Sequence, residues 1–244
     1  MSAAPVSSGN AVLIRWPEQA VFGRTIPKSK IYEHSGASSR LKNLFVTQVE
    51  QIVWQYKLAP GTINLPARPG VQEVQVLAIQ LKSGSLDDAV LRAIDEAIST
   101  LLVFEVTRGE GEQAQTQMVA ACKRPNEADA SRWVISGYYA TDWVPASAER
   151  GPMPVALDMA QLYVGLLQRV MPLPIRAGEG LADWVARSER AGVLQREIER
   201  LRGRMGRERQ FNRRVELNKQ LREMTQALES LGNADRNKTN EQSK

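Results

Sequence analysis

The stretch VQVLAIQLKSGSLDDAVLRAIDEAISTLLVFEVT, residues 74–107, decides the fold. Val74 to Leu81 is apolar at most positions, which suits a central strand covered on both faces. Ser85 opens a helix. Asp88, three residues on, makes a variant capping box, and Leu86, Val90, Ile94 and Ile98 line one buried face. Leu101 to Thr107 is again an apolar strand. Strand, helix and strand at this spacing predict a right-handed parallel crossover. The fold class that follows is α+β: a mixed β-sheet with packed helices.

Working toward the N-terminus, residues 62–65 are β-prone. A helix is expected from the serine pair Ser38 and Ser39, good N-caps, to about Lys57. Leu41, Leu44, Phe45, Val49, Ile52 and Tyr56 recur at three- and four-residue steps and form its stripe. The segment IPKSKIYE, residues 26–33, is read as an ordered loop because Pro27 blocks helix continuation. VLIRW, residues 12–16, is a short strand stopped by Pro17, and residues 1–11 are a disordered lead-in.

Toward the C-terminus, the turn RGEGE leads into Gln113–Lys123, the return strand of a hairpin, and Ser131–Trp143 is the last strand. The α+β domain is thus expected over 12–144, with PASAERGPMP, 145–154, as linker. Residues 155–180 hold a helix and connector, and 181–232 an arginine-rich helical tail. Residues 233–244 are expected to be disordered. In the tail, Leu194, Ile198, Leu201 and Met205 fit one heptad seam. Leu217, Leu221, Met224, Leu228 and Leu231 fit another, out of phase with the first. The break falls around Gly203 and Gly206, and an antiparallel coiled-coil hairpin is expected.

The composition excludes several classes. In 244 residues the hydrophobic share is 43% and no apolar run suffices for a membrane span. The N-terminus lacks a signal-peptide pattern, so a cytoplasmic location is expected. Cys122 is the only cysteine and His34 the only histidine, which rules out a disulfide, a multi-cysteine metal site and a histidine pair. No GxxxxGK[ST] string occurs, and Gly109 and Gly111 open no helix, so no phosphate-cradling loop is present. No cofactor is assigned.

Charge is unevenly spread. Between Arg187 and Arg222 stand twelve Arg or Lys against five Glu, while the whole chain carries only +5. The remainder is therefore slightly acidic. Arg200, Arg202, Arg204, Arg207, Arg209, Arg213 and Arg214 crowd fifteen residues. Arginine pairs bidentately with phosphates, so these residues are the first candidates for nucleic-acid or partner contact. Their alternative is a solvated helix surface with Glu197, Glu199, Glu208 and Glu216 as local partners. Lys28 and Lys30, beside Tyr32, form a second candidate contact.

A third feature is Gln80-Leu81-Lys82 at the end of the central strand. Restriction-type nucleases place an acid and a lysine two apart on such a strand, the acid holding Mg²⁺. Here the acidic position is an amide, a poor ligand for a hard cation, and Glu73 is the nearest upstream acid considered. Asp95, Glu105 and Asp142 could approach one another at the sheet edge, although Glu105 alone is explained by a solvent-facing position.

Six strings carry a resemblance: RTIPKSKIYE (24–33), FVTQVEQIVWQYKLAPGTINL (45–65), EVQVLAIQLK (73–82), VLRAIDEAI (90–98), KRPNEAD (123–129) and RERQFNRRVELNKQLR (207–222). Together they resemble a bacterial domain-of-unknown-function family, number 4391, over nearly the whole chain. The resemblance implies a genetic context beside helicase and DNA methyltransferase genes in restriction- or phage-defence-like loci. The resemblance further implies a glutamate in relatives at the position of Gln80, and its replacement by an amide would weaken any metal site here.

The function expected is a non-catalytic accessory subunit of such a complex, contacting DNA backbone or a neighbouring helicase or methyltransferase through the tail. The alternatives are a Mg²⁺-dependent nuclease-like enzyme and a dimerising coiled-coil scaffold.

Overall fold

The computed structural model describes residues 11–82, 84–125 and 133–232. The expected disordered ends, apart from Ala11, lie outside the described residues, as does most of KRPNEAD. Two compact units are present, Met1–Val170 and Met171–Lys244. The division falls after the helix that follows the expected linker. Residues 145–151 are tied into the first unit by a strand pairing at Val144–Pro145 and by the bridge Ile14–Gly151.

The first unit is a seven-stranded mixed sheet. Strands β1 (Val21–Thr25), β2 (Val49–Leu58), β3 (Val74–Leu81), β4 (Leu101–Arg108), β5 (Gln115–Pro125) and β6 (Trp133–Ala140) lie side by side in chain order. The short β7 (Val144–Pro145) pairs with β5. Among the described strands only β3 and β4 pair in parallel, and the other strand pairings are antiparallel. A parallel strand–helix–strand crossover is therefore present over residues 74–107, with helix α4 (Asp88–Ala97) between the strands. Asp87, not Ser85, is its N-cap, accepting the Ala89 N–H at 2.9 Å.

Helices α1 (Lys28–Ser35) and α2 (Ser39–Gln48) share one face of the sheet with α4. The core there joins Ile31, Phe45, Val90 and Ile94 to Leu77, Ile79, Phe104 and Val106, all essentially buried. The opposite face carries Trp16, whose ring lies tilted with its centroid 5.9 Å from that of Tyr56. Helix α5 (Met159–Val170) packs along β5, where the Tyr163 hydroxyl accepts the Lys123 N–H and donates to the Ala121 carbonyl.

Four expectations are corrected. Residues 12–16 form no strand, only the isolated bridge of Ile14 to Gly151. Residues 28–35 are helical, because Pro27 sits at the N-cap, where the missing N–H costs nothing. The short helix α3 (Pro60–Ile63) replaces the β-prone piece at 62–65, with Thr62 Oγ1 accepting the Ala59 N–H. The long helix expected from Ser38 to Lys57 stops at Gln48, and Val49 onward is β2. Its N-terminal half stands, with Ser38 Oγ capping Leu41 N–H at 3.2 Å.

The second unit is a pair of helices, α6 (Leu181–Arg207) and α7 (Phe211–Gly232). They run antiparallel, since Arg187 near the start of α6 donates to the Leu231 carbonyl at the end of α7. Helix α6 passes through Gly203 and Gly206, and the turn falls at 208–210 instead. Glu208 shapes it. Its own N–H closes α6, and its carboxylate accepts the Gln210 N–H at 2.9 Å. No helix among the described residues is long and apolar enough to cross a membrane.

Candidate functional site

The seven clustered arginines all lie at the turn end of the helix pair and all are exposed. Arg196, Arg200, Arg204 and Arg207 follow one another at helical steps along one face of α6 and line a groove of about 770 Å³. Its remaining lining includes Glu199, Glu208 and Leu217. Steps of four residues put successive guanidinium stems about 6 Å apart along the axis. Across the turn, Phe211 and Val215 are exposed apolar side chains among Arg209, Arg213 and Arg214.

Lys28 and Lys30 part company. Lys30 pairs with Glu33 at 2.9 Å on the surface. Lys28 turns inward and donates to the Phe45 and Val49 carbonyls at 3.3 and 2.5 Å, closing the C-terminal end of α2. Burial and the nearby Lys82 ammonium lower its pKa, with Glu50 opposing them.

That end of the sheet also gathers Gln80-Leu81-Lys82. Strand β2 runs antiparallel to β3, so the start of β2 lies beside the end of β3, with Val49 opposite Leu81 and Gln51 opposite Gln80. Glu50 is the extra residue of a β-bulge between these pairs. Its carboxylate stands 3.6 Å from the Lys82 ammonium. The Gln80 amide nitrogen donates to the Gly109 carbonyl at 3.1 Å. Glu73, the acid considered from sequence, is held at the far end of β3 by Lys57 at 3.0 Å. Nine residues of extended chain separate it from Lys82 by about 30 Å.

Asp95, Glu105 and Asp142 do not converge. Glu105 is not solvent-facing. Its carboxylate takes the Trp16 indole N–H at 2.7 Å and a bidentate Arg150 guanidinium at 2.7 and 3.0 Å. Asp95 is on α4, and Asp142 is exposed. His34 is exposed too, at the rim of a pocket of about 360 Å³. Trp54 and Thr100 line the same pocket, and their buried polar atoms, Nε1 and Oγ1, find no partner among the described residues.

A buried ionic cluster escaped sequence reasoning. Lys123 is 3% exposed and its ammonium donates to the carbonyls of Asp95, Ile98 and Thr100, the last at 3.0 Å. It thereby closes the C-terminal end of α4, where the helix dipole favours a cation. The Asp95 carboxylate lies 3.7 Å away and takes the Tyr138 hydroxyl at 2.5 Å. Burial pushes Asp95 up to about 6 against the opposing Tyr138 hydrogen bond and Lys123 charge. Burial lowers Lys123 and raises Tyr138. A lysine directly after the apolar run Met118–Cys122 is the signal that could have found it. The strings VLRAIDEAI and KRPNEAD supply its two charged members.

Among the described residues, no group of three or more His, Cys, Asp or Glu is placed to hold a metal ion. No curated protein and no solved structure matches the chain. One family model does, over residues 14–228, and its description is domain of unknown function (DUF4391). Since that match spans both units and leaves out only the ends, this chain belongs to the DUF4391 family.

Proposed function

We propose that the chain is an accessory subunit of a cytoplasmic restriction or phage-defence complex containing a helicase or methyltransferase. Its arginine-rich hairpin contacts the phosphate backbone of DNA, and the α+β unit is the platform that presents it. The observation that carries this reading is the exposure of all seven arginines from Arg200 to Arg214 at one end of the helix pair. Structural arginines are normally drawn into ion pairs, as Arg187 is with Glu179 at 2.7 Å. A concentration of exposed guanidinium groups costs self-repulsion and is favoured when a polyanion relieves it.

The helix pair acts as an antiparallel coiled coil in this reading. Trp184, Ala191, Ile198 and Met205 fall on one heptad position, and Arg187, Leu194 and Leu201 on its companion; none of the seven is exposed. The stiff rod holds the tip away from its own base.

The test is DNA binding by the full chain as a function of salt, together with co-purification of a neighbouring helicase or methyltransferase. Replacing Arg207, Arg209, Arg213 and Arg214 with Ala weakens binding and flattens the slope of log K against log salt by about 0.9 per lost phosphate contact. Unchanged affinity and slope in the fourfold variant would refute the reading.

A further inference from the structure

Resting on the contact between the hairpin and DNA, and narrowing it, we propose that the tip binds single-stranded DNA, with Phe211 as the platform on which an unpaired base stacks. Phe211 is the first residue of α7 and is 77% exposed. Among the described residues it makes no ring or cation–π contact. The seam of the helix pair does not use it. The side chains that α7 turns inward are Leu217, which is buried, and Leu221, Met224 and Leu228, which are half-buried. Phe211 stands about 120° around the helix from Leu217, and Val215 about 160°. The ring is carried on fixed backbone, because the Gln210 carbonyl accepts the Arg214 N–H at 3.0 Å and closes the first turn of α7 around it.

The surroundings of the ring are basic. Val215, Asn218 and Arg222 follow Phe211 at steps of four, three and four, and all are exposed. They make an outer stripe about 16 Å long, flanked by Arg214 and Lys219. The acids of this part of α7, Glu216 and Glu223, are each rotated about 100° from the stripe residue before them, off its axis. Across the turn, the groove lined by Arg196, Arg200, Arg204 and Arg207 includes Glu208, three residues before Phe211. The ring thus stands beside one row of cations and at the head of another.

An exposed aromatic ring in a cationic field is the combination a single strand matches. Guanidinium groups hold phosphates without regard to sequence, and the ring offers a face to any base. A duplex keeps the faces of its bases in its own stack, so it satisfies the arginines and leaves Phe211 uncovered. An apolar protein surface would cover Phe211 and Val215 but leave the cations around them without counter-charge. A single strand satisfies both, with its phosphates on the arginines and one base on the ring.

The test measures binding of the full chain to a labelled thymidine oligonucleotide and to a duplex of equal length, by fluorescence anisotropy at several salt concentrations. The natural chain should bind the single strand more tightly. Phe211→Ala should weaken that binding about tenfold to a hundredfold. The salt slope and the duplex affinity should stay in place, because no phosphate contact is lost. Phe211→Trp should keep the affinity, and the indole emission it adds should be quenched by the single strand and not by the duplex. Neither substitution touches the packed seam, so both variants fold. Equal or tighter binding of the duplex, single-strand affinity indifferent to Phe211→Ala, or equal losses on the two nucleic acids would overturn the proposal. If the fourfold arginine variant loses affinity while Phe211→Ala does not, the backbone contact stands and the stacking falls. Absence of binding by the natural chain removes both.

Discussion

Replacing Lys123 with Met removes a buried cation while keeping the length of the side chain. In the native fold that ammonium satisfies three carbonyls at the end of α4 and lies 3.7 Å from the Asp95 carboxylate. Removing one partner of a buried ion pair costs about 3–5 kcal/mol. The orphaned carbonyls belong to the same penalty, while the added thioether surface recovers part of it. The net loss expected is therefore about 3–4 kcal/mol.

Urea unfolding followed by tryptophan fluorescence reads this out. Trp16, Trp54, Trp133 and Trp143 all belong to the first unit, so the signal reports mainly on the sheet. With an m-value of roughly 2 kcal/mol/M, the midpoint should fall by about 1.5–2 M. Asp95 adds a second signature. Its carboxyl, already pushed up to about 6 beside Lys123, rises further without the lysine and takes up a proton. The penalty should then be smaller at pH 5 than at pH 8. A midpoint shift below about 0.5 M, corresponding to roughly 1 kcal/mol, or a penalty independent of pH, would refute the account of Lys123 as helix closure and counter-ion.

Asp95 also predicts a pH dependence for the natural protein. Its folded pKa lies above the ordinary 3.8, so the folded state binds more protons between the two values. The stability linked to it is full below about pH 4 and is lost as pH rises through about 6. Asp95→Asn should flatten that part of the unfolding profile, measured by urea midpoints at several pH values. Arg150→Met leaves Glu105 with only the Trp16 indole N–H in a buried position. It should destabilise the first unit by about 2–3 kcal/mol, with Glu105→Gln in the same chain recovering part of the loss.

Residues 74–107 were legible because local and tertiary signals agree there. The central strand is apolar on both faces and the helix between the strands has a stripe and a cap, so propensity and burial point the same way. The ionic cluster was not legible, because Asp95 and Lys123 lie on different elements and neither reveals in sequence which carbonyls surround it. The inward turn of Lys28 was hidden for a related reason. A lysine beside Pro27 looks like surface until α2 is known to end at the carbonyls it meets. The heptad pattern of the tail revealed a helix pair but misplaced its turn. Gly203 and Gly206 each cost helix stability by ~1 kcal/mol, a penalty the packed seam of α6 absorbs, and the chain turns where Glu208 can serve both helices.

The misreading of residues 49–57 has a specific cause, and it is the one that concealed Glu50. A regular strand sends alternate residues to one face, so Val49 and Ile52, three apart, should oppose each other. In β2 they face the same core, because the bulge at Glu50 inserts one residue and reverses the alternation between Val49 and Gln51. A second irregularity between Trp54 and Tyr56 reverses it again. Spacings of three then mimic a helical stripe, and the preceding helix, Ser39–Gln48, supplies a phase for it to continue. The β-branched and aromatic density of VEQIVWQY was the countervailing signal. The feature that disguised the strand is the feature that aims Glu50 at Lys82. A change that straightens β2, such as deletion of Glu50, should therefore let Val49 and Gln51 fall into simple alternation. Val49 and Ile52 would then stand two apart and keep the face they share, so the deletion should spare that core and remove the Glu50–Lys82 pair alone.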